Sequence, residues 1–220
     1  MNEYRQKSYI PALKYHALTG FYDTIVRITT REMLFKKELI DVVGPQGGEY
    51  ILDVGCGTGT LTLLLAERDP KLRIKGLDAD PAQLSRANSK SVNSHSDISF
   101  EQGYAQQLAD NPETFDVVVS SLFFHHLTTS ENREALADIF FVLKPGGRLC
   151  IADWGEPSSI VQRYMFLLVQ CLDGFETTQD SVTGMLPELI KGAEFTEVEC
   201  SRIIPTLLGT VRIFQAKIPL

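Results

Sequence analysis

The sequence predicts an α/β fold built on a mostly parallel sheet with helices on both faces. Three observations lead there. From Tyr50 to Asp153, short apolar runs alternate with segments of helical periodicity, the pattern of strand–helix–strand units. Val117-Val118-Val119 lacks polar alternation, as expected of a strand buried on both sides. Gly55, Gly57 and Gly59 then separate the first apolar run from the first helix of that region, where a parallel sheet needs a sharp turn.

The elements follow in order. Glu32 to Val43 reads as a helix with apolar Met33, Phe35, Leu39, Ile40 and Val43, ended by Gly44-Pro45-Gln46-Gly47-Gly48. Residues 50–54 form the first strand, 61–68 a helix, and 73–78 the second strand. Asp80-Pro81 opens the next helix, because Asp suits the N-cap and Pro the first helical position. Strands follow at 98–102 and 115–121. Thr128 and Glu131 have the spacing of a capping box, and Leu136, Ile139, Phe140 and Leu143 then share one helix face. A fifth strand occupies 148–153, helices lie near 159–172 and 186–193, and two strands occupy 197–203 and 210–218. Only six residues join these last two strands, too few for a parallel crossover, so they are read as antiparallel. Residues 1–45 are read as an N-terminal helical lid, broken at Pro11 and Gly20 and rich in aromatic residues. Residues 46–220 form one structural unit.

Composition narrows the function. The 220 residues carry a net charge of −7 and no basic block, which disfavours a nucleic-acid partner. No apolar run approaches the roughly 20 residues of a membrane span. No signal peptide is visible, and four scattered cysteines, none in a C-x-x-C pair, fit a reduced, cytoplasmic protein. No metal site is expected.

The turn Asp53-Val54-Gly55-Cys56-Gly57-Thr58-Gly59 carries the most information. A dinucleotide fingerprint would place its third glycine at Thr60. Asp53 would also oppose a pyrophosphate, whereas it can hold an ammonium group. A dinucleotide-dependent oxidoreductase is therefore the lesser alternative, beside a non-catalytic binding protein of the same fold. Asp78, 23 residues after Gly55 at the end of the second strand, is placed to accept from both hydroxyls of a ribose.

The stretches ILDVGCGTG, GLDAD, FDVVVSSLFFHHL and LKPGGRLCIADW, in this order, resemble the class I S-adenosylmethionine-dependent methyltransferases. The resemblance is strongest to small-molecule enzymes similar to the ubiquinone/menaquinone C-methyltransferases. It covers 50–153 well and 20–23 and 31–40 more loosely. It implies a Rossmann-like sheet of seven strands, the last inserted antiparallel between the fifth and sixth. It further implies S-adenosylmethionine as cofactor and methyl transfer to a small-molecule acceptor by direct displacement. By the same resemblance Tyr22, Asp53, Gly55, Cys56 and Gly57 surround the methionine end, Asp78 the ribose and Ala79 the adenine. Ser120 contacts the amino end through its backbone. Where the family often has Gly-Asp-Ala, this chain has Gly103-Tyr104-Ala105. Three readings stand: Tyr104 stacks on or bonds the base, Ala105 uses its backbone N–H, or the cofactor is held more weakly.

The catalytic candidates are His125 and His126, after the fourth strand, and Asp153, which with Trp154 closes the fifth. A histidine can serve as general base near neutral pH if the acceptor must lose a proton. Arg31, Lys36 and Lys37 read as a solvated helix face, and Tyr164 to Leu168 as core.

Overall fold

The computed structural model describes residues 31–108, 112 and 114–220. Seven strands form one sheet in the order β3-β2-β1-β4-β5-β7-β6. They are β1 (Tyr50–Val54), β2 (Arg73–Asp78), β3 (Asp97–Gln102), β4 (Phe115–Ser121), β5 (Leu143–Gly155), β6 (Thr196–Pro205) and β7 (Thr210–Lys217). The first five run parallel, and β7 is antiparallel to both β5 and β6. The expected sheet, with its last strand inserted between the fifth and sixth, is therefore present.

The helices are α1 (Glu32–Val43), α2 (Thr60–Arg68), α3 (Pro81–Ser91), α4 (Thr129–Val142), α5 (Ile160–Asp173), α6 (Gln179–Thr183) and α7 (Leu186–Gly192). Local chemistry sets their ends. The Asp80 side chain accepts from Ala82 N at 2.8 Å, with Pro81 at the first helical position. Thr128 and Glu131 close a reciprocal capping box at α4. Gly44 ends α1 in the left-handed region, where glycine carries no Cβ penalty.

Alternate residues of the strands feed two cores. Leu52, Val118, Ile151 and Phe214 face α4 and α7. Ile51, Val117, Val119 and Ile213 face α1, α2 and α5. This two-sided burial explains the unbroken valine run. Within the proposed lid segment, α1 packs into the second core through Phe35 and Leu39. Residues 1–30 lie outside the described residues.

One expectation fails on α5. Phe166 and Val169 are buried, but Tyr164, Met165 and Leu168 are exposed. Five consecutive apolar residues wrap more than one helical turn, and a helix lying on a sheet buries only one side. Among the described residues, no helix is long and apolar enough to cross a membrane.

Candidate active site

Strand order reverses at β1, so the crevice beyond the ends of β1 and β4 is where such a sheet takes a ligand. The turn after β1 fills one side of it. Gly55, Gly57 and Gly59 all have positive φ, at +69°, +54° and +72°. Gly55 N and Cys56 N both donate to Leu77 O, which pins the turn to β2.

The three glycines serve different purposes. A Cβ on Gly55 would meet the Phe123 ring, with Cγ at 2.6 Å. A Cβ on Gly59 would come within 3.0 Å of Ala87 and 2.8 Å of Phe100, so that glycine lets α2 approach α3 and β3. Among the described residues, nothing lies within 4 Å of a Cβ on Gly57. The free approach is at Gly57.

The acidic residues flank it. Asp53 is fully buried, and its Oδ2 accepts from Thr62 Oγ1 at 2.6 Å. Its Oδ1 is buried without a partner. Burial pushes the Asp53 carboxyl up to about 6, against the Thr62 bond and the charge of Lys36. Lys36, expected on a solvated face, is instead buried and paired with Glu32 at 2.6 Å. Asp78 accepts from Gly57 N at 2.8 Å through one oxygen and from Asp80 N at 2.9 Å through the other. Burial raises its pKa. Each oxygen keeps a lone pair for a further donor.

The remaining described cofactor candidates sit at or just after the C-terminal ends of β1, β2, β3 and β4. Cys56 is buried, with its Sγ beside Gly76 and donating to Gly57 O at 3.9 Å, and burial pushes its thiol up. Ser120 is buried; its hydroxyl donates to Val54 O, and its backbone stands in register with Val54 of β1 and Ile151 of β5. Ala79 O accepts from Gln102 Nε2 at 3.1 Å, a contact the sequence did not signal. Tyr104 is exposed, whereas Ala105 is buried at the head of a short 3-10 turn. Tyr22 lies outside the described residues.

After β4, Leu122 takes a left-handed φ of 53° and turns the chain into a 3-10 turn, Phe124–His126. Asp153, fully buried, organises this segment. Its Oδ2 accepts from Phe123 N at 3.0 Å and Phe124 N at 2.7 Å. Its Oδ1 meets His125 Nδ1 and Trp154 N, both at 2.7 Å. Burial alone would raise its pKa, but His125 and these donors hold it below the usual carboxylate range. Four protein donors saturate this carboxylate, so Asp153 positions the loop rather than touching an acceptor. His125 is buried, while the His126 ring packs 4.0 Å from it and keeps an exposed face. Desolvation by the surrounding protein and then His125 lower the His126 pKa, against the charge of Asp153. Trp154 is packed into the other core against Phe166 and does not face an acceptor.

Residues 51–147 match the family described as a methyltransferase domain. An uncharacterized methyltransferase of Synechocystis sp. is 30% identical over 170 residues, 77% of this chain and 76% of that protein. This chain belongs to the class I S-adenosylmethionine-dependent methyltransferases. A demethylmenaquinone methyltransferase of Deinococcus radiodurans is 35% identical to this methyltransferase over 109 residues, 50% of this chain. That match spans 44% of the Deinococcus enzyme. Among solved structures, a SAM-dependent methyltransferase from Methanosarcina mazei shares the fold with a TM-score of 0.66 at 20% identity. The shared region is 80% of this chain and 95% of that one.

Proposed function

We propose that this protein transfers the methyl group of S-adenosylmethionine to a small-molecule acceptor by direct displacement at the methyl carbon. The observation that carries the proposal is the open approach at Gly57, set between a buried, unpartnered Asp53 oxygen and the half-buried Asp78 carboxylate. These residues fit the family's cofactor. Asp53 Oδ1 suits the ammonium of its amino-acid end, and Asp78 suits the ribose hydroxyls. Gly57 admits the methionine end to the backbone, with the backbones of Cys56 and Ser120 beside it. Ala79 borders the adenine.

When bound, S-adenosylmethionine supplies a methyl group already activated on a sulfonium. The chain's remaining task is to align the acceptor and exclude water. Asp153 fixes the segment 123–126 at the rim. His126 keeps an exposed face there, and its imidazole is the group of this segment placed to take a proton from an acceptor hydroxyl.

The test is calorimetry and thermal melts with S-adenosylhomocysteine and NADH. Binding and an upward shift with S-adenosylhomocysteine alone are expected. A shift with NADH alone would reverse the assignment, and affinity for neither would favour a non-catalytic protein.

A further inference from the structure

We infer that Arg212 selects an acceptor bearing a carboxylate, with the anion held about two strand spacings from the methyl-receiving atom. This rests on the methyltransferase reading and names the acceptor's chemical class. Arg212 lies on β7 directly opposite Asp153 of β5. Its side chain is therefore on the sheet face that carries the His125 loop. The stem runs across Gly155, where a Cβ would come within 2.8 Å of Cγ and 2.9 Å of Nε. The guanidinium thus reaches past the C-terminal end of β5, toward the rim where ligands of this sheet bind.

Its hydrogen bonding is incomplete. Nη2 donates to Glu156 O at 3.3 Å, while Nε is buried without an acceptor. Among the described residues, no carboxylate lies within ion-pair distance of Arg212. The nearby Glu156 offers its backbone oxygen and turns its own carboxylate toward Gly184. Nε packs against Gly155, so the anion would meet the Nη edge, where the structure gives only the 3.3 Å bond to Glu156 O; such a half-buried guanidinium edge without an ion pair is suited to a planar, two-oxygen anion. The chain's net charge of −7 would repel such an anion at long range, so a local cation is what would admit it.

The sheet sets the scale. From β4, which leads to Phe123–His126, to β7 is two strand spacings, on the order of 10 Å. The carboxylate would then be separated from the reacting atom by roughly the length of a ring and a short chain. It is too remote to belong to the cofactor's amino-acid end at Gly57, one strand further away.

Benzoate, 3-phenylpropionate and 4-phenylbutyrate, each paired with its amide, are suitable probes. Emission of Trp154, the single tryptophan, reports binding with and without S-adenosylhomocysteine. At least one carboxylate should bind tenfold or more tightly than its amide. Arg212→Gln should abolish that preference with unchanged S-adenosylhomocysteine affinity, and Arg212→Lys should keep part of it. As a second measurement on the unaltered protein, phenylglyoxal labelling of Arg212, read by mass spectrometry, should slow at least threefold with the bound carboxylate and not with its amide. No carboxylate preference, a preference that survives Arg212→Gln, or labelling indifferent to the acid would overturn the inference. Loss of S-adenosylhomocysteine binding in the unaltered protein would instead overturn the methyltransferase reading, while the carboxylate titration still reports on Arg212.

Discussion

Asp53 and Asp78 are both carboxylates at strand ends, but their surroundings give them different consequences. Asp78 holds Gly57 N and Asp80 N. Asp78→Ala should weaken S-adenosylhomocysteine binding by on the order of 2–4 kcal/mol in calorimetry. It should also lower apo stability by about 1–2 kcal/mol, because two backbone donors lose their acceptor. An unchanged dissociation constant would remove Asp78 from the site. Asp53 is read through pH. Its folded-state pKa is raised from 3.8 to about 6, so the folded chain keeps a proton that the unfolded chain has already lost. Stability is therefore highest below the unfolded value and falls as pH rises through the folded one. Compared by urea titration at about pH 3.5 and about pH 7.5, Asp53→Asn should gain about 3 kcal/mol relative to the unaltered protein. A difference independent of pH would contradict this. Asp53, Gly57 and Asp78 were legible because they sit in one short motif and the next strand end. Phe123 and Gln102 were not, because their partners meet them only through the packed fold, and for Lys36 the pair with Glu32 is local but its burial against the sheet is not.

At the level of elements, turns and caps were written locally and came out as read. Asp80-Pro81 and Thr128 to Glu131 each contain both halves of their own interaction. The exposed side of α5 was misread, because periodicity shows that a helix has an apolar stripe but not what covers it. The glycine turn allows a matched comparison. Gly44 and Gly57 have nearly equal φ, +52° and +54°, and neither would crowd an added Cβ. Gly44→Ala and Gly57→Ala should therefore cost similar stability, about 1 kcal/mol each in thermal or urea melts. Only Gly57→Ala should lose S-adenosylhomocysteine affinity, and equal affinities would count against the pocket at this turn. The segment 122–126 depends on one carboxylate. Asp153→Asn keeps the shape but turns one acceptor oxygen into a donor facing backbone N–H groups or His125. A loss of about 2–4 kcal/mol in stability is expected. Turnover should fall more than S-adenosylhomocysteine affinity, and an intact turnover number would show that the loop holds itself.

Across the whole molecule, the strand order divides the sheet into a parallel half that carries the glycine turn and an antiparallel half that carries Arg212. The parallel half was recoverable from the alternation of strands and helices. Within the antiparallel half, the short 6–7 connection was legible. Insertion of β7 beside β5 came only from resemblance, since pairing across so many residues leaves no local trace. That insertion has a consequence for the order in which the protein acquires its shape. Among the described residues β6 pairs with no strand but β7, and a four-residue link makes the two a hairpin able to form by itself early. Its attachment to β5 closes a far longer loop and should come late. The pole that grips the cofactor would then mature before the pole that chooses the acceptor. During refolding, pulse-labelled hydrogen exchange should protect the amides of Leu52–Val54 before those of Leu149–Ala152 that face β7. Reverse or simultaneous protection would show that the two poles are a single kinetic unit.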